Sequence, residues 1–97
     1  MLRESVNAEI DQYVDSYIDA LGNLPVVDQI LVDASEALTI YTVYRGDLAT
    51  SARRLFGAEA TVRQQFPDKR MRFETVPAEA AGDYFPSLER LHVVYAH

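Results

Sequence analysis

The feature that most restricts this chain is the way its hydrophobic period switches between that of a helix and that of a strand. Val6, Ile10, Tyr13, Val14, Tyr17, Ile18 and Leu21 recur at spacings of three and four, which places them on one stripe of a helix over residues 2–21. Gly22 supplies a left-handed stop, and Pro25 keeps the helix from resuming. Two short runs rich in β-branched and aromatic residues follow, 27–32 and 37–44. In the second, Leu38, Ile40 and Thr42 alternate with Thr39, Tyr41 and Val43. The polar tetrapeptide Asp33-Ala34-Ser35-Glu36 between them predicts an antiparallel hairpin.

The helical period returns over 48–65. Leu48, Ala52, Leu55, Phe56, Val62 and Phe66 take the inner side, and Arg53, Arg54, Arg63 and Gln64 the outer one. Asp47 is placed to cap this helix, Pro67 to stop it, and Gly57 to permit a kink or a close contact in its middle. After the turn Asp68-Lys69-Arg70, a strand over 71–76 alternates Met71, Phe73 and Thr75 with Arg72, Glu74 and Val76. A closing strand over 90–96 alternates Leu91, Val93 and Tyr95 with His92, Val94 and Ala96. Residues 77–89, punctuated by Pro77, Gly82 and Pro86, are the least regular stretch, with room for a short helical turn from about Pro86 or Ser87.

The order α-β-β-α-β-β, in a single domain over residues 1–97, specifies an α+β two-layer sandwich. A hairpin followed by a right-handed crossover through the second helix gives a mixed four-stranded sheet with two helices on one face. Leu38, Ile40, Met71, Phe73, Leu91 and Val93 then join the helical stripes in the core. The last strand is left free to lie at an edge or between two others. Such a fold is complete without a cofactor, and none is expected.

Composition matters here for the functions it removes. With no cysteine there is no disulfide framework, no thiolate nucleophile and no sulfur-based zinc site, and a cytoplasmic setting is expected. No apolar run approaches the roughly 18 residues of a membrane span, and the acidic start lacks the apolar core of a signal peptide. A net charge of −6 argues against a groove for bulk nucleic acid, whose phosphates require the opposite sign. That charge is unevenly spread. Residues 1–36 carry eight acids against the one base Arg3, whereas 37–74 carry seven bases against four acids. Eight of the nine bases are arginine, the residue suited to planar carboxylate contacts, and the arginine-heavy balance points to a bacterial source. Pairing within one fold, or between two copies of it, accounts for the asymmetry.

The second face of the sheet displays Thr39, Tyr41, Val43, Arg72, Glu74, Val76, His92, Val94 and Ala96 in this reading. An apolar patch rimmed by Arg, Glu and His is the composition of an interaction surface, so Tyr41, Val43, Arg72, Glu74, His92 and Val94 are interface candidates. The plainer alternative is that the first helix, or the 77–89 segment, folds across this face. Asp11, Asp15 and Asp19 form an i, i+4, i+8 stripe, a surface for a basic protein partner or simply a solvated face. Tyr84 and Phe85 lie in a connection longer than usual and either plug the edge of the core or form a recognition lip.

Catalytic and metal signatures are thin. Asp28 and Asp33 differ in strand parity and lie roughly 16 Å apart in an extended chain, so with Glu36 they are not expected to share a metal ion. His92, His97 and the serines 5, 16, 35, 51 and 87 form no nucleophile motif, and no catalytic residue is assigned. Arg53, Arg54, Arg63, Lys69, Arg70 and Arg72 lack the interleaved aromatics of a nucleic-acid surface. The expected function is that of a small soluble non-catalytic protein–protein interaction or regulatory domain, homodimeric through the open sheet face. The alternative is a small-ligand-binding or enzymatic domain with a pocket between the sheet and the 77–89 segment, on which Tyr41, Arg72, Tyr84 and His92 converge.

Overall fold

Helix α1 spans Ala8–Leu21 rather than beginning near residue 2, because capping groups fix its start. Asn7 is extended (φ −160°, ψ 169°), and its Oδ1 accepts from the Ile10 N–H at 2.9 Å. Asp11 reaches back across the same turn, accepting from the Val6 N–H at 3.0 Å and from the Ser5 hydroxyl. At the far end Gly22 adopts φ 66°, ψ −153°, a conformation occupied almost only by glycine. An added Cβ there would collide with Arg54 Nη2, which places a guanidinium over the carbonyl end of α1, where a cation is favoured.

The computed structural model describes residues 5–22, 24–34, 37–85 and 91–96. Strands β1 (Val27–Asp33) and β2 (Leu38–Tyr44) form the expected antiparallel hairpin, with Asp33 opposite Thr39 and Val27 opposite Tyr44. Helix α2 (Ala52–Gln65) carries the chain to β3 (Met71–Pro77), which runs parallel to β2 with Leu38 opposite Met71. A 3₁₀ turn (Ala78–Ala80) and a short helix α3 (Ala81–Tyr84) precede β4 (Leu91–Ala96), which pairs antiparallel with β1. The sheet order is β3-β2-β1-β4, so the fold is α+β with a mixed four-stranded sheet and the last strand at an edge. The helical turn expected at Pro86 or Ser87 lies outside the described residues.

Two local expectations change. Asp47 Oδ1 accepts from the Ala49 N–H at 2.9 Å, closing a turn of its own instead of capping α2, where Ser51 occupies the N-cap. Gly57 sits within uninterrupted helix, and a Cβ there would meet open space.

Helices α1 and α2 cover one face of the sheet. Val14, Tyr17, Leu21, Leu55 and Val62 from the helices meet Ile30, Val32 and Ile40 from the central strands. Tyr17 is fully buried and shares a 2.6 Å hydrogen bond with Thr42 Oγ1, while its ring lies 5.3 Å from that of Phe73. Tyr13 and Phe66 meet edge to face at 4.7 Å and close the α1–α2 seam. The inner stripe of α2 is Leu55, Ala58, Glu59 and Val62. Phe56, expected inside, is 52% exposed, because it lies about 100° around the helix from Leu55.

That same stripe turns a carboxylate inward. Glu59 is only 8% exposed, and its Oε2 has no hydrogen-bond partner among the described residues. Burial raises its pKa above the ordinary value, with Arg63 one turn along opposing the shift. An acid whose pKa is raised by folding binds its proton more tightly in the native state, so it costs the fold stability as pH rises through that native value. Glu59→Gln is expected to raise the thermal midpoint at pH 7, with the gain closing below the ordinary carboxylate pKa of about 4.3. Melts at neutral and acid pH check this; a variant less stable at pH 7, or a difference independent of pH, would contradict it.

Candidate functional site

Strand register builds the second face of the sheet in rows. Arg72, Thr39, Asp33 and Leu91 lie across the first, Glu74, Tyr41, Leu31 and Val93 across the second, and Val76, Val43, Gln29 and Ala96 across the third. Tyr41, Val43, Arg72 and Glu74 therefore occupy the face that their alternation assigns. His92 and Val94 do not. A register shift in the β1–β4 ladder between Ile30 and Leu31 reverses the parity of β4. Leu91 and Val93 pack on the second face, Val94 is fully buried in the main core, and His92 stands exposed opposite Val32 on the helical side.

Part of the second face is closed by the chain itself. Leu31, Val43, Val76 and Phe85 form a second, smaller core, with Tyr41, Ala78, Ala81, Leu91 and Val93 packed around it. The segment after Pro77 turns back over the β3–β2 half of the sheet and inserts Phe85, which is 8% exposed. Phe85 takes the first of its two expected roles, a plug, and Val43, expected at an interface, is interior. Both placements share one cause: Val43 and Val76 of the third row would face water without this cover.

Tyr84 behaves differently from its neighbour. It is 45% exposed, and its hydroxyl donates to Glu74 Oε1 at 2.7 Å. Its ring lies 6.1 Å from Tyr41 and 5.3 Å from Phe85, while Tyr41 meets Phe85 edge-on at 5.0 Å. The bond to Glu74, then burial, raises the Tyr84 hydroxyl's pKa. Burial, then the Glu74 and Asp33 carboxylates, raises that of Tyr41, with Arg72 opposing. Both phenols stay protonated at neutral pH as hydrogen-bonding groups on an aromatic lip, with exposed Arg72 beside them.

Other candidates disperse. Tyr41, Tyr84 and Arg72 come together, but His92 is two strands away and on the opposite side of the sheet, so the four do not share one concavity. Asp11 leaves the acidic stripe to cap α1. Asp15 and Asp19 remain exposed beside an open groove between α1 and α2, bordered also by Gln12, Thr61 and Gln65. Asp28 Oδ1 pairs with Arg45 Nε at 3.0 Å, Asp33 lies in the first row, and Glu36 is outside the described residues. Among the described residues, no group of three or more His, Asp or Glu side chains could hold a metal ion, and no helix is long and apolar enough to cross a membrane.

The basic residues are partly answered within the fold. Lys69 Nζ bonds Glu9 at 2.6 Å, which lowers the Glu9 pKa. Arg63 lies 5.0 Å over the Phe73 ring. With Arg70 and Arg72 they border a groove of about 490 Å³ beside Pro67 and Met71. Two features escaped the sequence reading, Leu31 on the second face and Glu59 in the core. Ile30, Leu31 and Val32 are apolar at both parities and give no sign of which faces which side, whereas Glu59 is legible as the i+4 neighbour of Leu55.

If Phe85 is the plug, Phe85→Ala should cost about 3 kcal/mol of unfolding free energy and Tyr84→Ala less than about 1 kcal/mol. Urea unfolding of the two variants checks this, and a neutral Phe85→Ala would contradict it.

Comparison with protein families, with curated proteins and with solved structures found no match to this chain.

Proposed function

We propose that this chain is a non-catalytic protein–protein interaction domain that works as a homodimer associating through its sheet, in the cytoplasm of a bacterium. The observation that carries the reading is the lip formed by Tyr84, Tyr41, Glu74 and Arg72 at the β3–β2 side of the second face. Tyrosine and arginine are the residues enriched where proteins bind one another, because each offers a large contact area with a polar end. Here the aromatic rings are held by one another and by the Tyr84–Glu74 bond, so little side-chain freedom remains to be lost on association. A regulatory role for such a domain consists of presenting this surface to a protein and not of transforming a substrate.

Two features support a second copy as the first partner. The chain separates an acidic region from a basic one along its sequence, so each region of one copy complements the other region of a second, and closed two-fold dimers are the commonest way for one surface to satisfy itself. Light scattering across a wide dilution series reads this directly. A mass of about twice 10.9 kDa that falls only on strong dilution is expected. A mass of 10.9 kDa at every concentration would overturn the reading.

A further inference from the structure

Among the described residues, sheet order leaves β3 at an edge, paired with β2 on one side only. An edge strand presents unpaired backbone N–H and C=O groups to whatever can pair with them, and charged side chains are the usual guard against unwanted partners. The charges on β3 are of a particular kind. Arg72 and Glu74 sit on the same face, two residues apart, on either side of Phe73. Across the β2 seam they face Thr39 and Tyr41, neither of which is charged.

We propose that β3 is the dimer seam, pairing antiparallel with β3 of a second copy about a two-fold axis at Phe73, so that Arg72 of each copy lies opposite Glu74 of the other. This rests on the reading of the chain as a self-associating domain. In such a pair, directly opposed residues have Cβ atoms about 5 Å apart, within reach of an ion pair. Phe73 then meets Phe73, and Met71 meets Thr75. The four-stranded sheets join into one continuous sheet with both helical layers on the same side.

Register follows from the charges. Side chains of opposed residues share a face, so the symmetric alternatives differ by steps of two. One step in one direction sets Arg72 against Arg72, and one step in the other sets Glu74 against Glu74. Within Met71–Pro77 only the axis at Phe73 pairs opposite charges and sets no like charges against each other, so the pattern selects a second copy of this strand. The Tyr84 hydroxyl occupies one oxygen of Glu74, and a carboxylate accepts at both. Arg63, stacked over Phe73, brings like charge toward the axis and is constant in every variant below. The opposite edge, β4, reads Leu-His-Val-Val-Tyr-Ala and has no oppositely charged pair to fix a register.

The test is charge reversal, read by sedimentation. Arg72→Glu and Glu74→Arg each replace two attractive contacts per dimer with two repulsive ones, and each is expected to weaken dimerisation by about tenfold or more. An equimolar mixture of the two variants is expected to regain the dimer, because every opposed pair is again Arg with Glu. The doubly reversed chain, R72E with E74R, is expected to dimerise with itself for the same reason. Thermal melts establish that each variant is folded, and the double reversal carries the test if one single variant is not. A monomeric wild-type chain would remove both this seam and the proposed function. A dimeric wild type whose single variants stay dimeric, or whose mixture and double reversal fail to recover, would overturn the seam while leaving self-association standing.

Discussion

The rest of the structure depends on the two central strands being buried from both sides. Ile30, Leu31 and Val32 follow one another in β1, and all three are interior. In a strand, consecutive side chains point to opposite faces, so such a run requires cover on each. Helices α1 and α2 supply one cover through the stripe centred on Tyr17 and Leu55. Among the described residues no third long helix supplies the other. The segment Ala78–Phe85 does so instead, with Phe85 set over Leu31, Val43 and Val76. A connection that is irregular by sequence is therefore a structural layer.

This arrangement determines which surfaces remain for use. Once Phe85 has closed the third row, what stays accessible on that face is polar and aromatic and lies toward β3: Tyr84, Glu74 and Arg72, with half-buried Tyr41 behind them. The charge asymmetry of the chain resolves in the same direction. Glu9 with Lys69 and Asp28 with Arg45 draw parts of the acidic N-terminal third to the basic region, and Arg54 lies over the end of α1. Arg72 and Glu74, by contrast, are carried to the sheet edge by the parallel register of β3. A strand whose exposed pattern is its own complement is a means of recognition that requires no pocket and no cofactor.

Much of the fold was legible because its elements have distinct periods. The stripe from Ile10 to Leu21, the alternation through Leu38–Tyr44 and the Arg72–Glu74 parity each survive in three dimensions. What was not legible has particular causes. The strand Leu91–Ala96 is apolar at both parities, so its facing was set by the shift at Ile30 and Leu31, a tertiary feature with no local signal. Val94 and His92 lie on the helical side for that reason. Phe56 and Glu59 exchanged the sides their polarity suggests, because helical geometry, and not residue type, decides which position faces the sheet. Helix α1 starts later than its apolar stripe suggests because the stripe runs through Val6 into a stretch that Asn7 and Asp11 cap. Of the candidate site, Tyr41, Arg72 and Glu74 were legible from strand alternation, whereas the opposite roles of adjacent Tyr84 and Phe85 depend on which side of a short helix each leaves.

The most direct measurement of the central claim, that β3 is a recognition edge, is hydrogen–deuterium exchange at two protein concentrations. Outward-facing amides of an edge strand exchange readily unless another strand pairs with them. Uptake across Met71–Pro77 should slow as concentration rises through the dimerisation range, while uptake across Leu91–Ala96 stays the same. Slowing confined to Leu91–Ala96, or a β3 whose uptake ignores concentration while the mass doubles, would contradict the account.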